Sequence, residues 1–331
     1  MKKSLIALAA LAATSAFAQS SVQVVGTFDP SFAVAKNTLG SGVSYTNQFI
    51  RNNSQGTSQI TFKGTEDLGG GLKANFLIEN DFDAGKDARL GGTTYGNLGS
   101  GGGEVFLNLE GGFGKIALGA PNTPTLSAQA QNPFGTKIGG GFAQLNSGKV
   151  RNNNTVMYST PTMGGLTAHV AYSNKTKDAA SVTTIADITD VGLFYANGPL
   201  DVKLTSYKVS ATPTVLAKTD NNLTAAYDLG VAKIGAASFT QKQTGVVDKQ
   251  ATQMFATVPL SGTWDLRASY GSVNDKTAAN LDSKITAVGV KNSISKMTSL
   301  YARFVSQTYD NVAATGTKKT TTTLVGMQTN F

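Results

Sequence analysis

Residues 57–82 read T-S-Q-I-T-F-K-G-T-E-D-L-G-G-G-L-K-A-N-F-L-I-E-N-D-F. In Thr57–Asp67, Ile60 and Phe62 fall on one face of an extended chain, and Gln59, Thr61 and Lys63 on the other. Leu68-Gly69-Gly70-Gly71 breaks the pattern as a turn. In Leu72–Phe82, Leu72, Ala74, Phe76 and Ile78 then oppose Lys73, Asn75 and Glu79. Successive side chains of a strand point to opposite faces, so the stretch predicts a hairpin with one apolar and one polar face.

The same alternation continues in both directions. Val105, Leu107 and Leu109 oppose Phe106, Asn108 and Glu110 ahead of a turn at Gly111–Gly114. Leu166, Ala168, Val170 and Tyr172 oppose Thr167, His169 and Ser173, while Trp264, Leu266, Ala268 and Tyr270 oppose Asp265, Arg267 and Ser269. Leu300, Ala302 and Phe304 oppose Tyr301 and Arg303. Sixteen such segments are predicted, starting near residues 21, 57, 71, 103, 114, 153, 165, 187, 199, 221, 231, 249, 263, 283, 297 and 319. Short turns alternate with longer connections, the latter at 37–56, 83–102, 121–152, 175–186 and 210–220.

An even number of up-and-down strands with short turns at one end and longer loops at the other is the pattern of a transmembrane β-barrel. Strands of ~9–11 residues suffice to cross, and closure satisfies every backbone group inside the bilayer. A soluble β-sandwich also has strands with one dry face, but it has no need of sixteen in strict up-down order. Periodicity favours the barrel and leaves the sandwich open.

The first residues bear on location. Lys2 and Lys3, the apolar Leu5–Ala13 and the small-x-small Ala16-Phe17-Ala18 form the pattern of an export signal, so 1–18 is expected to be a signal peptide and 19–331 the barrel. The apolar stretch is too short for a permanent spanning helix. Gly 37 with Pro 8 and a charged fraction of 15% depart from an ordinary soluble surface. Of the 28 basic residues, setting aside Lys2 and Lys3 leaves 26 against 20 acidic, a balance of +6.

Enzyme chemistry finds little support. The single His, His169, lies on the polar face of a strand, there is no G-x-S-x-G, and no acidic pair accompanies the His. With no Cys, a transition-metal site is not expected, and no cofactor is called for. Gly99-Ser100-Gly101-Gly102-Gly103 lacks the Gly-Lys-Ser/Thr of a phosphate loop. Dispersed basic residues and the absence of a recognition module argue against nucleic acid.

Several stretches resemble the general porins of β-proteobacteria. Phe62–Ala74 is similar to that family's first periplasmic hairpin, and Ser20-Ser21-Val22 to its mature start. Leu109–Gly119 resembles the strand pair before that family's inward loop, and Met157–Ser173, Gly198-Pro199-Leu200 and Tyr227–Lys233 its later hairpins. Val325-Gly326-Met327-Gln328-Thr329-Asn330-Phe331 closely matches its final strand. The resemblance implies a homotrimer of sixteen-stranded barrels in the outer membrane of a Gram-negative bacterium, passing small hydrophilic solutes and ions by passive diffusion. It also implies that Phe331 is read by the outer-membrane assembly machinery. The outer face would meet lipid and lipopolysaccharide, with Trp264 and Phe331 near the periplasmic interface.

In that family the third long loop folds inward and narrows the barrel. Its counterpart is Pro121–Arg151, and Gln131-Asn132-Pro133-Phe134-Gly135 resembles the loop tip. The segment contains no Asp or Glu but carries Lys137, Lys149 and Arg151. A narrow passage lined by one sign concentrates the opposite ion, so a preference for anions is expected. Lys63, Arg267 and Arg303 are the candidates for a basic wall, with Glu79 and Asp81 placed to oppose them. Two positions depart from the family: Lys63 stands where Arg is usual, and Ala120 follows Leu118-Gly119 where Arg is frequent.

Overall fold

The computed structural model describes residues 21–85, 102–140, 151–174, 186–212 and 215–331. These form one antiparallel sheet of eighteen strand segments that closes on itself. In chain order they are β1 (Ser21–Phe28), β2 (Pro30–Leu39), β3 (Ser44–Asn52), β4 (Gln59–Gly69), β5 (Leu72–Asp81), β6 (Val105–Gly111) and β7 (Gly114–Ala120). A short helix α1 (Pro124–Gln129) precedes β8 (Thr155–Ser159), β9 (Leu166–Ser173), β10 (Ile188–Asn197), β11 (Leu200–Val209) and β12 (Lys218–Asp228). The sheet is completed by β13 (Lys233–Gln243), β14 (Val247–Ser261), β15 (Trp264–Asp275), β16 (Ser283–Ser293), β17 (Thr298–Tyr309) and β18 (Thr317–Asn330).

Asp29 alone separates β1 from β2, and residues 53–58 separate β3 from β4, so each pair is one interrupted strand. β1 pairs with β4, and β2 with β3, which leaves sixteen staves. The ring is sealed where β18 pairs with β2 and, at Thr27–Asn330 and Phe28–Thr329, with β1. Phe331 finishes the seam: its N–H donates to Gly26 O at 3.0 Å, and Gly26 N–H donates to Phe331 O at 2.9 Å.

The alternation read in the sequence becomes an outside and an inside. Met254 and Val325 expose 69% and 60% of their surface, and Leu107, Leu118, Val170, Leu204 and Phe304 are likewise exposed on the outer face. Apolar side chains in that number on one continuous face mark lipid contact, since water would drive them into a core. The opposite face carries buried Ala33, Ala117, Ala171 and Ala287 among polar residues. Turn chemistry follows the sequence too. Gly69, Gly70 and Gly71 have φ of +83°, +60° and +83°, a backbone that other residues adopt only under strain.

One expectation is corrected. Residues 37–56 were predicted as a long connection, but most of them are strand: β2 runs to Leu39 and β3 spans Ser44–Asn52. Lys36, Thr46 and Gln48 share the outer face with Val34 and Ile50, so the hairpin carries polar residues on both faces and gives no period-2 signal. Residues 1–20, which include the expected signal peptide 1–18, lie outside the described residues.

Candidate functional site

The long loop after β7 is closed at its neck by a bridge between Asn122 and Arg151. Thr123 caps α1, its hydroxyl accepting from Leu126 N–H at 3.1 Å, and Pro124 occupies the first turn, where its missing N–H costs nothing. The helix is therefore written in the sequence as Thr123-Pro124, a signal that the loop's irregular reading passed over. Asp190 of β10 holds its start, accepting from Thr125 N–H at 2.9 Å and from the Thr125 hydroxyl at 2.8 Å.

From there the described part of the loop follows the inner wall strand by strand. Lys203 Nζ of β11 donates to Ser127 O at 3.3 Å, and the Thr224 hydroxyl of β12 to Ala128 O at 3.2 Å. Arg267 of β15 donates to Pro133 O at 3.0 Å. Gln253 Nε2 of β14 donates to Gly140 O at 3.2 Å, and Ser269 Oγ of β15 to Gly139 O at 2.5 Å. Phe134 and Ile138 are buried against Ile285, Ala287, Tyr301, Val305 and Leu324, so the tip is anchored by apolar contact as well. The loop is thus folded inward, and its docking surface is the wall from β10 to β18.

Arg303 sits behind this loop. It is 3% exposed, donates to Ser54 O at 2.7 Å and to Ile138 O, and lies 4.3 Å from the Phe134 ring centroid. Sequence reasoning placed it on a wall facing the passage; the structure makes it a clamp beneath the loop. Arg267 also touches the loop and is paired with Asp265 two residues earlier. Lys63 lies elsewhere, in a recess with Gln23, Asn75, Asn108 and Glu110 and no loop residue.

Across the passage the arrangement is acidic. Arg151, at the end of the loop, lies 3.8 Å from Glu79 and 3.8 Å from Asp81, both near the outer end of β5. Glu104 accepts from Asn122 N–H at 2.8 Å and from Asn122 Nδ2 at 3.0 Å, and its own N–H reaches Glu79 Oε1 at 3.4 Å. Lys137 donates to Thr57 Oγ1 at 2.6 Å. Burial pulls the Lys137 ammonium below its ordinary pKa, against the pull of Asp81 and Asp29. Lys149 lies outside the described residues. The structure therefore brings Glu79, Asp81, Lys137 and Arg151 to one level, with Glu104 and Asp29 as neighbours that the sequence reading did not single out. Both were hidden because their proximity depends on register around a closed ring.

His169 has a structural setting, its Nδ1 2.9 Å from Ser159 Oγ and its ring 4.5 Å from that of Phe194 at a tilt of 51°. Among the described residues no group of His, Asp and Glu is arranged to hold a metal, and no helix is long and apolar enough to cross a membrane.

Comparison with known proteins agrees with this geometry. A family model described as Gram-negative porin matches residues 4–312. Outer membrane porin protein 32 of Delftia acidovorans is 30% identical over 324 residues, covering 91% of this chain and 88% of that protein. Major outer membrane protein P.IB of Neisseria gonorrhoeae is 31% identical over 207 residues, covering 60% of this chain and 54% of that protein. Among solved structures, an anion-selective porin from Comamonas acidovorans superposes with a TM-score of 0.75 at 24% identity, over 95% of this chain and 100% of that one. A closed sixteen-stave barrel with lipid-facing exterior, narrowed by an inward loop, and a family match over nearly its whole length place this chain among the Gram-negative porins of the outer membrane.

Proposed function

We propose that this porin passes small hydrophilic solutes by passive diffusion and prefers anions. The observation that carries the reading is the composition of the inner loop: Pro121–Arg151 holds no Asp or Glu and three basic residues, Lys137, Lys149 and Arg151. The carboxylates opposite, Glu79 and Asp81, are partly offset by Arg151 itself. Lys203, Lys233 and Arg267 line a recess under the loop with one carboxylate, Asp201, and Asp265 pairs with Arg267. Field lines in a narrow passage between low-dielectric walls concentrate the counter-ion. The test is the zero-current potential across a planar bilayer under a salt gradient. An anion-favouring sign is expected; a cation-favouring sign would mean that Glu79, Asp81 and Glu104 dominate.

The same reading includes a homotrimer, and the likeness to a solved trimeric form of OmpT of Vibrio cholerae (TM-score 0.67, 13% identity) is consistent with that assembly. Residues 1–18 act as an export signal, so the mature chain begins at Gln19, which sequencing of the isolated protein checks. The outer face meets lipid and lipopolysaccharide, and Phe331 serves the assembly machinery. The chain performs no chemical step.

A further inference from the structure

Between the register pairs Thr27–Gln59 and Pro30–Asn52, the first strand contains only Phe28 and Asp29, whereas its partner contains residues 53–58. The surplus does not bulge towards lipid. Beyond its local bonds it reaches inward: the Ser54 hydroxyl lies 2.7 Å from that of Ser31, and Gln55 Nε2 donates to Ser299 Oγ at 2.9 Å and Gln328 Oε1 at 2.6 Å. Asn53 turns the chain with φ of +59°.

Asp29 organises this segment. It is fully buried, and its Oδ2 accepts from Gln55 N–H at 2.6 Å and Gly56 N–H at 2.8 Å. Its Oδ1 accepts from the Tyr301 hydroxyl, and its N–H donates to Ser58 Oγ at 3.0 Å. A buried carboxylate is costly unless hydrogen-bonded, and here two backbone N–H groups and a phenol meet that need. The segment also meets the loop twice. Arg303 bonds Ser54 O and Ile138 O with the same nitrogen, and Lys137 of the loop bonds Thr57.

We propose that residues 53–58 are a second constriction element, an inward bulge that joins the loop tip and closes the lumen on the β1–β4 side. Solutes then pass only on the β5–β9 side of the Lys137–Thr57 contact. Asp29 is the positioning residue, and Thr57, half-buried at the contact, borders the aperture. The proposal rests on the pore reading but not on the sign of its selectivity.

The chain has no Cys, so Thr57→Cys introduces a single reactive thiol. The variant, inserted as the folded full-length protein in a planar bilayer, is treated with a bulky neutral thiol reagent while conductance is recorded. Mass measurement should show one adduct, and conductance should fall stepwise by roughly a third or more, because added bulk at a constriction outweighs bulk elsewhere in a wide pore. Deletion of Ser54–Thr57 should act oppositely, raising conductance and admitting larger neutral sugars in a liposome-swelling assay. A labelled Thr57→Cys channel with unchanged conductance would overturn the proposal, as would a thiol that does not react. Absence of conductance before labelling would instead count against the pore reading.

Discussion

Arg303 and Arg151 both reach the inner loop, yet one lies behind it and the other faces the passage beside it. Arg303 is enclosed by the β17 wall, the bulge and Phe134, and its partners are neutral carbonyls. Arg151 keeps 20% of its side chain exposed; it donates to Asn122 Oδ1 at 2.9 Å and to Gly102 O, and the Glu79 and Asp81 carboxylates stand 3.8 Å away. Both guanidiniums bond neutral oxygens, but only Arg151 is part-exposed with carboxylates beside it, so it alone sets a local field in the lumen. Two basic residues of equal charge on the lumen side are thus set apart by what surrounds them.

Removing the clamp tests the first half of that contrast and carries the largest effect. Arg303→Ala leaves Ser54 O and Ile138 O without their donor and opens a void under the loop, a cost of about 3 kcal/mol. The folded barrel should convert to unfolded chain at a lower temperature on a heat-modifiability gel, and its channels should become noisy. Arg303→Lys keeps a charge but not the planar donor, so it should fall between. An alanine variant as heat-stable and quiet as the parent would remove Arg303 from the clamp.

Gly139 offers a smaller perturbation on the same side. Its φ is +89°, and a Cβ there would stand 2.7 Å from Ala287 Cβ. Gly139→Ala should cost about 2 kcal/mol through strained backbone and contact with the wall. The loop tip should then loosen without any change in charge. Increased hydrogen exchange at residues 134–140, with an unaltered zero-current potential, is the expected signature; a shifted potential would mean that packing and field are not separable here.

These contrasts were unevenly legible in the sequence. Strand order and the inward and outward faces followed from alternation, because Ile60, Phe62, Leu107 and Leu109 declare a lipid face locally. The acid-free loop was legible for the same reason, being a matter of composition. The β2–β3 hairpin was not, since its outer face turns polar. Nor were Asp29 and Glu104, whose roles arise from contacts between segments far apart in the chain. Arg303 was seen as lumen-facing, but that the loop would cover it is a tertiary fact.

Arg151 tests the second half of the contrast. Arg151→Gln keeps a donor for Asn122 but leaves Glu79 and Asp81 uncompensated. One unit charge at a partly solvated constriction is worth about 1 kcal/mol, so the permeability ratio should move towards cations by roughly fivefold. Glu79→Gln with Asp81→Asn should move it the other way. The same shift from Arg303→Lys would erase the distinction between the two arginines.

The smallest expected effect is a pH dependence centred on Glu104. Burial raises its carboxyl pKa most, Glu79 raises it further, and the Asn122 N–H, Arg151 and Lys115 oppose the shift. A raised pKa means that Glu104 takes up its proton at a higher pH than an exposed glutamate. On acidification from neutrality it is the neutral form that appears, one negative charge leaves the vicinity of Arg151, and anion preference should rise, by at most about twofold because water and salt screen the site. Over an acidification from pH 7, the zero-current potential should show this step at a higher pH than an exposed glutamate would give. Glu104→Gln should already have the acid-side potential at pH 7 and stay flat across the interval, its amide still accepting from Asn122. A step that persists in Glu104→Gln would remove Glu104 as its origin, and so take the field-setting carboxylate away from the neck of the loop.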